Sequence, residues 1–318
     1  MSRRESRSRK RTSPVKVFII VFVILVIVFT AGRFLIEKYG LLGILGGDVM
    51  KDLSPLAGGD SAFSAEFSDS KRVNVLLLGT NEDLSDTIMV MSFDTELKRV
   101  DGISIPRDTY YDRPDYDSPA LRKINSVFKT EGFVGAATAV SNVLGGVPIH
   151  SYARITDEGV AAIVDAMGGI DIYVPMNMDY EDPGQDLYIH LQEGQQTLNG
   201  DQAVQFLRFR SGYPTADLGR IDAQQEFMRQ AFKQSIGFGF PKVVSTAMKE
   251  VETDLKKTVA LKLGAKAVGM DAEDFQMWTI PGAPKTIDGS SYFYADEAGT
   301  LEMMRQIYSM TAEPDEGN

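Results

Sequence analysis

Three arginines lie close together between positions 206 and 225, in a spacing suited to binding an anion. Arg208 and Arg210 are two residues apart, so on an extended segment both side chains point to one face. Arg220 and Gln224 are four residues apart, so on a helix they share a face. Guanidinium groups brought together repel one another unless an anion lies among them, and arginine binds phosphate oxygens in a bidentate way. The spacing therefore predicts a phosphate-type site, with separate surface salt bridges as the alternative.

A second charged pair follows a predicted buried strand. Residues 98–105 read as a strand that Pro106 ends, and Arg107 and Asp108 come directly afterwards. Open α/β sheets place their binding sites beyond the ends of such strands. We therefore expect Arg107 and Asp108 to belong to a site, the alternative being a pair that only ends the strand. Asp108 and Asp217 are also candidate general bases, or carboxylates that orient a neighbouring arginine through an ion pair.

The amino-acid composition excludes several kinds of catalytic and binding site. The 318 residues include no cysteine, which excludes thiol nucleophiles, disulfides and thiolate metal sites. The two histidines, His150 and His190, are expected to be packing or surface residues. Residues 34–318 hold 25 basic and 43 acidic residues, a formal net charge of −18. A body this acidic repels nucleic acid, so nucleic acid is not an expected partner and the arginines must act as a local pocket.

The amino-terminal residues have the pattern of a membrane anchor. Residues 1–16 carry seven Lys or Arg and form a predicted cytoplasmic tail. The uncharged run 17–32 would make a helix of about 24 Å, and residues 34–36, with Arg33 snorkelling, extend it toward the ~30 Å hydrocarbon core. We therefore predict an anchor over 17–36, with the main domain on the outer side of the cell membrane. A cleaved signal peptide is the alternative, because residues 30–32 are small.

The elements beyond the anchor indicate an α/β domain. Residues 37–71 read as a linker, 72–312 as the domain and 313–318 as a disordered tail. Predicted strands occupy 73–79, 86–94, 98–105, 148–155, 170–174, 188–191 and 275–280. Predicted helices run from about 125 to 144 and over 156–167, 201–207, 221–236, 242–256, 258–270 and 297–310, with 179–185 as an acidic loop. This alternation predicts a mixed central sheet covered by helices.

Several of these segments together resemble one protein family. The motifs NVLLLG, SDTIMVMSFD, GISIPRDTY, KIN, AMGGIDIYVP, LNGDQAVQFLRFR and DLGRIDAQQ occur between residues 71 and 236 in the order and spacing of the LytR-CpsA-Psr family. The resemblance implies an α-β-α phosphotransferase that moves a glycopolymer phosphate, as in teichoic acid or capsule attachment, from a polyprenyl pyrophosphate carrier to peptidoglycan.

The same resemblance implies roles for individual residues. The pyrophosphate would be held by Arg107, Arg208, Arg210, Arg220 and Gln224. Asp86 would bind Mg²⁺ or Mn²⁺. Lys123 and Asn125 match a segment near the family's site. The polyprenyl tail would need an apolar groove, for which the space between the helix after Asn125 and the sheet is the candidate.

The sequence also departs from the family's pattern. The loop 79–86 is short, with Leu84 where an arginine is usual and Asn81 where an aspartate is usual. Ala223 replaces a further arginine. Asp83 or Glu82 is the candidate replacement metal ligand. Two other functions are therefore open: a non-catalytic binder of lipid pyrophosphates or glycans, and a pyrophosphatase that transfers to water.

Overall fold

The structure is a computed structural model that describes most of the chain beyond residue 46. The described residues are 47–81, 84–116, 118–183, 187–209, 213, 223, 226, 227, 230, 234, 246, 247, 249–267, 270 and 274–309. The predicted cytoplasmic tail, anchor and terminal tail lie outside them, as does most of the predicted helix 221–236. Within these ranges, no helix combines the length and the apolar character needed to cross a bilayer.

The described residues form twelve strands and six α-helices. The strands are β1 (Arg72–Asn81), β2 (Leu84–Asp94), β3 (Arg99–Ser104), β4 (Ser151–Ile155), β5 (Ile170–Val174), β6 (Met178–Asp182), β7 (Leu187–Leu191), β8 (Gly194–Leu198), β9 (Glu252–Thr253), β10 (Phe275–Thr279), β11 (Gly282–Ile287) and β12 (Ser290–Ala295). The helices are α1 (Ala62–Glu66), α2 (Val127–Val143), α3 (Asp157–Met167), α4 (Gly200–Arg208), α5 (Lys257–Lys266) and α6 (Glu297–Ser309).

A six-stranded sheet forms the centre, in the order β10-β3-β2-β1-β4-β9. β1, β2 and β3 are antiparallel neighbours, whereas β4 is parallel to β1 and β10 is parallel to β3. Side chains alternate between two buried faces because successive strand residues point to opposite sides. Val75 and Leu77 belong to one hydrophobic cluster with α3, and Leu76 and Leu78 to another with α2 and α6. The predicted mixed sheet between helical layers is confirmed.

The first two strands form a longer hairpin than the sequence predicts. Residues 79–86 were expected to form a short loop, but Thr80 pairs with Ser85 and Asn81 with Leu84. The register shifts next to Gly79, which pairs with Thr87, so Asp86 is the extra residue of a β-bulge. Bulges bend a strand and redirect side chains, and they are common beside active sites.

Residues 47–71 differ from the predicted linker. Val49 and Phe63 are buried in the two hydrophobic clusters, and Ala57 forms a β-bridge with Ile149. Ser61 caps the start of α1, because its hydroxyl accepts a hydrogen bond from the Ser64 amide. The described part of this segment is therefore folded onto the domain, because its apolar side chains fill space beside the sheet.

The sequence analysis also missed several strands. β6 replaces part of the predicted acidic loop, and β8, β11 and β12 were not predicted. β9 interrupts the predicted helix 242–256, since Glu252 and Thr253 pair with β4. These strands are short or expose much of their surface, so they lack the hydrophobic alternation on which strand prediction depends.

Helix boundaries agree well with the sequence signals. The Thr156 hydroxyl accepts from the Gly159 amide and begins α3, and Gly168 ends it in the left-handed conformation. Asn199 and Gln202 form a capping box at the start of α4. α2 is interrupted at Gly132, whose φ of 67° separates its first turn from the rest.

Candidate active site

Several strand ends meet at one end of the central sheet. β3 and β1 finish there, β2 begins there, and β4 finishes beside β1. This end therefore carries Arg107 after β3, the bulge at Asp86 in β2, and Asp157 after β4. Neighbouring strands are about 4.8 Å apart, so the end of β4 lies roughly 14 Å from the end of β3. The topology thus gathers predicted site residues that are distant along the chain.

Two segments pair to bring four of the predicted residues together. The Asn125 amide donates to the Arg107 carbonyl at 3.2 Å, and the Ile124 amide donates to the Thr109 carbonyl at 2.9 Å. A β-bridge joins Tyr110 to Lys123. The turn over residues 124–126 also packs on β2. Arg107, Asp108, Lys123 and Asn125 therefore form one cluster at the sheet end.

Asp108 links the two cations of this cluster. Its Oδ1 lies 2.9 Å from Lys123 Nζ, and its Oδ2 lies 3.8 Å from Arg107 Nε. Lys123 Nζ is also 5.7 Å from the centre of the Tyr292 ring. The side chains of Arg107 and Lys123 are 26% and 24% exposed, so an anion can approach them. Engagement of both carboxylate oxygens favours an orienting role for Asp108 over that of a general base.

Arg208 occupies a different setting from the predicted one. It is the last residue of α4, and Phe209 after it is extended, so the argument that placed Arg208 and Arg210 on one face of an extended segment is wrong for Arg208. Its Nη1 lies 3.9 Å from Asp157 Oδ2, at the first turn of α3. Arg208 thus belongs to the β4 side of the sheet end, and its side chain is 14% exposed.

The bulge in β2 has unusual polar surroundings. Ser85 Oγ and Thr87 Oγ1, which flank Asp86, are buried and have no hydrogen-bond partner in the structure as described. Buried hydroxyls without a partner are uncommon in proteins, and such groups are able to bind a water or an ion. Among the described side chains, no group of three or more His, Asp or Glu is arranged to hold a metal ion. The Asp86 side chain and Asp83 lie outside that set, so their predicted metal role stays a prediction.

Three further predicted residues lie outside the described part of the chain: Arg210, Arg220 and Gln224. Their convergence with Arg107 and Arg208 therefore stays a prediction, and so does the role of Asp217.

The sequence analysis overlooked a cation at the same sheet end. Arg154, in β4, donates from Nε to Thr80 Oγ1 at 2.6 Å and pairs with Glu252 at 2.9 Å. Thr80 is the strand partner of Ser85 beside the bulge. The signal was available, because Arg154 is a cation one residue before the end of a predicted strand. Nearby, Phe133 stacks on Tyr152, and burial raises the pKa of the Tyr152 phenol.

The histidines are remote from this chemistry. His150 Nδ1 accepts a hydrogen bond from the Asn74 amide at 3.0 Å, and burial lowers the pKa of the ring to about 4. His190 is exposed beside Asp179 and Glu181 on the β6–β7 hairpin. Both agree with the predicted packing and surface roles.

The fold and the cluster define an α/β domain with a cationic, partly exposed site at the end of a mixed sheet. The sequence profile of the LytR_cpsA_psr family matches residues 51–308. The chain belongs to this family.

Curated relatives align along most of the chain. The polyisoprenyl-teichoic acid–peptidoglycan teichoic acid transferase TagU of Bacillus anthracis (strain CDC 684 / NRRL 3495) is 31% identical over 260 residues, which is 78% of this chain and 82% of TagU. The transferase TagV of Bacillus subtilis (strain 168) is 26% identical over 228 residues, covering 70% of this chain and 58% of TagV.

Solved structures share the fold. The crystal structure of B. subtilis TagV aligns with a TM-score of 0.60 and 24% identity, covering 74% of this chain and 95% of TagV. A structure described as TagT bound to LIIa-WTA aligns with a TM-score of 0.58 and 19% identity, covering 74% of this chain and 89% of TagT. These likenesses support the α/β architecture.

Proposed function

We propose that this protein is a phosphotransferase that moves a teichoic-acid-like glycopolymer, with its linking phosphate, from a polyprenyl pyrophosphate carrier to peptidoglycan. Family membership and the names of relatives such as TagU support the reaction class. The observation that carries the proposal is the paired arrangement of Arg107, Asp108, Lys123 and Asn125 at one end of the sheet. Fixed cations there can receive the phosphates of the carrier.

In the proposed reaction, a hydroxyl of the acceptor glycan attacks the phosphorus that bears the glycopolymer. The bond from that phosphorus to the bridging oxygen breaks, polyprenyl phosphate leaves, and the proton of the acceptor hydroxyl passes to solvent water. Negative charge grows on the leaving oxygen. Arg107 and Lys123 would stabilise it, since preorganised cations lower such a barrier without rearranging. Asp108 would hold both cations in place.

The proposed pyrophosphate site extends to the β4 side of the sheet end. Arg208 lies there beside Asp157, and Arg154 adds a further positive charge. Arg210, Arg220 and Gln224 would complete the site, as the family resemblance implies. Arginine suits this role because its fork matches two phosphate oxygens at once.

A divalent cation, Mg²⁺ or Mn²⁺, is proposed at the bulge. Asp86 would bind it, with Asp83 as second carboxylate, and the unpaired hydroxyls of Ser85 and Thr87 support a ligand near this point. Oxygen donors of this kind suit Mg²⁺. When bound, the cation would neutralise charge on the phosphate oxygens.

The proposed location is the outer surface of the cell membrane, with residues 17–36 as the anchor. The basic residues before this segment and its apolar composition support that orientation. The carrier and the peptidoglycan would then both be within reach of the domain.

The test is transfer by the full-length protein in detergent, with a polyprenyl pyrophosphate-linked glycan as donor and a peptidoglycan fragment as acceptor. We expect Arg208→Ala and Arg220→Ala to lower kcat/KM by about 100-fold or more. Arg305→Ala is the control, because Arg305, on α6, forms an exposed ion pair with Glu66 on α1. Release of glycan phosphate without attachment would identify a pyrophosphatase, and donor binding without turnover a non-catalytic binder. Full activity of Arg220→Ala would refute the proposed site.

A further inference from the structure

Arg113 is a buried arginine that the proposed reaction does not use. The residue is 4% exposed and lies in the polar loop after β3. Its Nη1 donates to the Leu121 carbonyl at 2.8 Å and to Ser126 Oγ at 3.1 Å. Its Nη2 donates to Thr130 Oγ1 at 2.5 Å and pairs with the Glu131 carboxylate. One guanidinium therefore joins the loop to the first turn of α2.

The contacts of Arg113 enclose the segment that carries two site residues. Leu121 and Ser126 flank Lys123 and Asn125, so Arg113 holds this segment at both ends. The Ser126 hydroxyl lies within hydrogen-bond distance of the Leu121 and Lys123 carbonyls, at 2.9 and 2.8 Å. The opposite edge of the segment is bonded to the Arg107 and Thr109 carbonyls. We call the contacts of Arg113 with Leu121, Ser126, Thr130 and Glu131 the clamp. The position of Lys123 relative to Arg107 depends on this clamp.

The shape of the arginine side chain is central to this clamp. Its planar fork reaches a carbonyl, two hydroxyls and a carboxylate in fixed directions, which a lysine ammonium cannot reproduce. The Tyr116 ring covers the guanidinium, with 3.7 Å from its centre to Arg113 Cζ. The break of α2 at Gly132 separates the clamped first turn from the remainder of the helix. Arg113 therefore bonds to the part of α2 that lies before this break, next to the Lys123 segment.

We infer that Arg113 is a positioning residue that sets Lys123 and Asn125 against Arg107 for binding of the donor pyrophosphate. This inference rests on the proposed function. Arg113 would act through Lys123, without touching the substrate.

The kinetic test uses Arg113→Met in the full-length protein at a temperature where circular dichroism shows it folded. We expect the KM for the polyprenyl pyrophosphate donor to rise about tenfold, with a smaller change in kcat. Arg113→Lys should show most of the same rise in KM, because lysine retains the positive charge but lacks the planar guanidinium fork. Arg99→Met is the matched control, since Arg99 also pairs with a buried carboxylate but begins β3, at its opposite end.

A double-mutant cycle separates positioning from general destabilisation. If Arg113 acts through Lys123, Arg113→Met should add little to the KM defect of Lys123→Met. A full additional tenfold loss in that background would overturn the inference, as would an unchanged KM in Arg113→Met alone.

Hydrogen exchange provides a readout that does not need turnover. The amides of Ile124 and Asn125 should exchange faster in Arg113→Met and keep their protection in Arg99→Met. The wild-type protein could show no transfer while the two amides still exchange faster in Arg113→Met. That result would refute the proposed reaction and support the clamp. Unchanged exchange at both amides would contradict the clamp. If Arg113→Met does not fold, Glu131→Gln tests the same contact and should shift exchange in the same direction.

Discussion

At the scale of single residues, the candidate site depends on carboxylates that hold cations in place. Asp108 contacts Lys123 and Arg107, Asp157 contacts Arg208, and Glu252 contacts Arg154. The cations are thus preorganised before an anion binds. An anion arriving at this end meets charges that are already oriented, which reduces the cost of arranging them.

Replacing Asp108 tests whether it orients cations or takes a proton. We expect Asp108→Asn to raise the donor KM about tenfold, because the amide cannot hold both cations, and to leave the shape of the pH–rate profile intact. Asp112→Asn, which alters an exposed carboxylate next to Tyr110, is the control and should behave like wild type. If the fall in rate at low pH disappears in Asp108→Asn, Asp108 is instead a general base.

Local residue signals predicted part of this site. Arg107 and Asp108 were found because Pro106 ends a strand just before them, and that inference needs only neighbouring residues. Arg154 was missed although it is a cation next to the end of a predicted strand, and Arg113 was missed because a buried arginine in a polar loop looks like a surface residue. Its partners, up to Glu131, are identified only by the folded arrangement.

At the scale of elements, α6 is joined to the sheet by a buried polar network. Arg72, which is 2% exposed, donates to Asp101 at 2.8 Å and to the Ile307 carbonyl at 2.8 Å. Tyr308 accepts a hydrogen bond from the Asn74 side chain at 2.8 Å. The contacts from Arg72 to Ile307 and from Asn74 to Tyr308 join residues more than 200 positions apart, so no local pattern could have predicted them. The helix itself was predicted, but its docking was not.

The network gives a stability prediction. Arg72→Met leaves the fully buried Asp101 with fewer partners, and we expect the free energy of unfolding to fall by about 3 kcal/mol. Arg305→Met removes an exposed ion pair from the same helix and should cost less than about 1 kcal/mol. Urea unfolding followed by circular dichroism would measure both. Equal losses in the two variants would show that the buried network is not what secures α6.

The elements that the sequence predicted best are those with buried faces. β1 and β2 contain short continuous apolar runs, α3 has regular apolar spacing, and the caps at Thr156 and Asn199 marked helix starts correctly. β11, whose residues are largely exposed, has no such spacing and was missed. Prediction succeeded where burial imposes a period and failed where strands form through pairing alone.

At the scale of the whole molecule, one buried histidine makes stability depend on pH. The pKa of His150 is about 4 in the folded protein and close to 6.5 when unfolded, so the unfolded chain binds the extra proton between these values. The free energy of unfolding should therefore fall as the pH drops from about 6.5 to about 4, by up to roughly 3 kcal/mol.

His150→Asn tests this dependence. The amide oxygen can still accept from the Asn74 N–H, but the side chain no longer titrates, so that part of the fall should disappear. His190→Asn, at the exposed hairpin, is the control and should keep it. Unfolding by urea at several pH values between 7 and 4 gives the comparison. If the free energy of unfolding of His150→Asn falls as much as that of the wild type, the acid sensitivity comes from carboxylates.

The border of the described sheet at β9 has a consequence for how two copies of this domain can meet. This strand is two residues long, and both Glu252 and Thr253 are exposed. An open strand edge normally offers its free backbone groups to another chain, which promotes aggregation. So short an edge, carrying a charge, gives an incoming strand almost nothing to pair with. Two copies that meet at this border are thereby protected from joining their sheets through backbone hydrogen bonds.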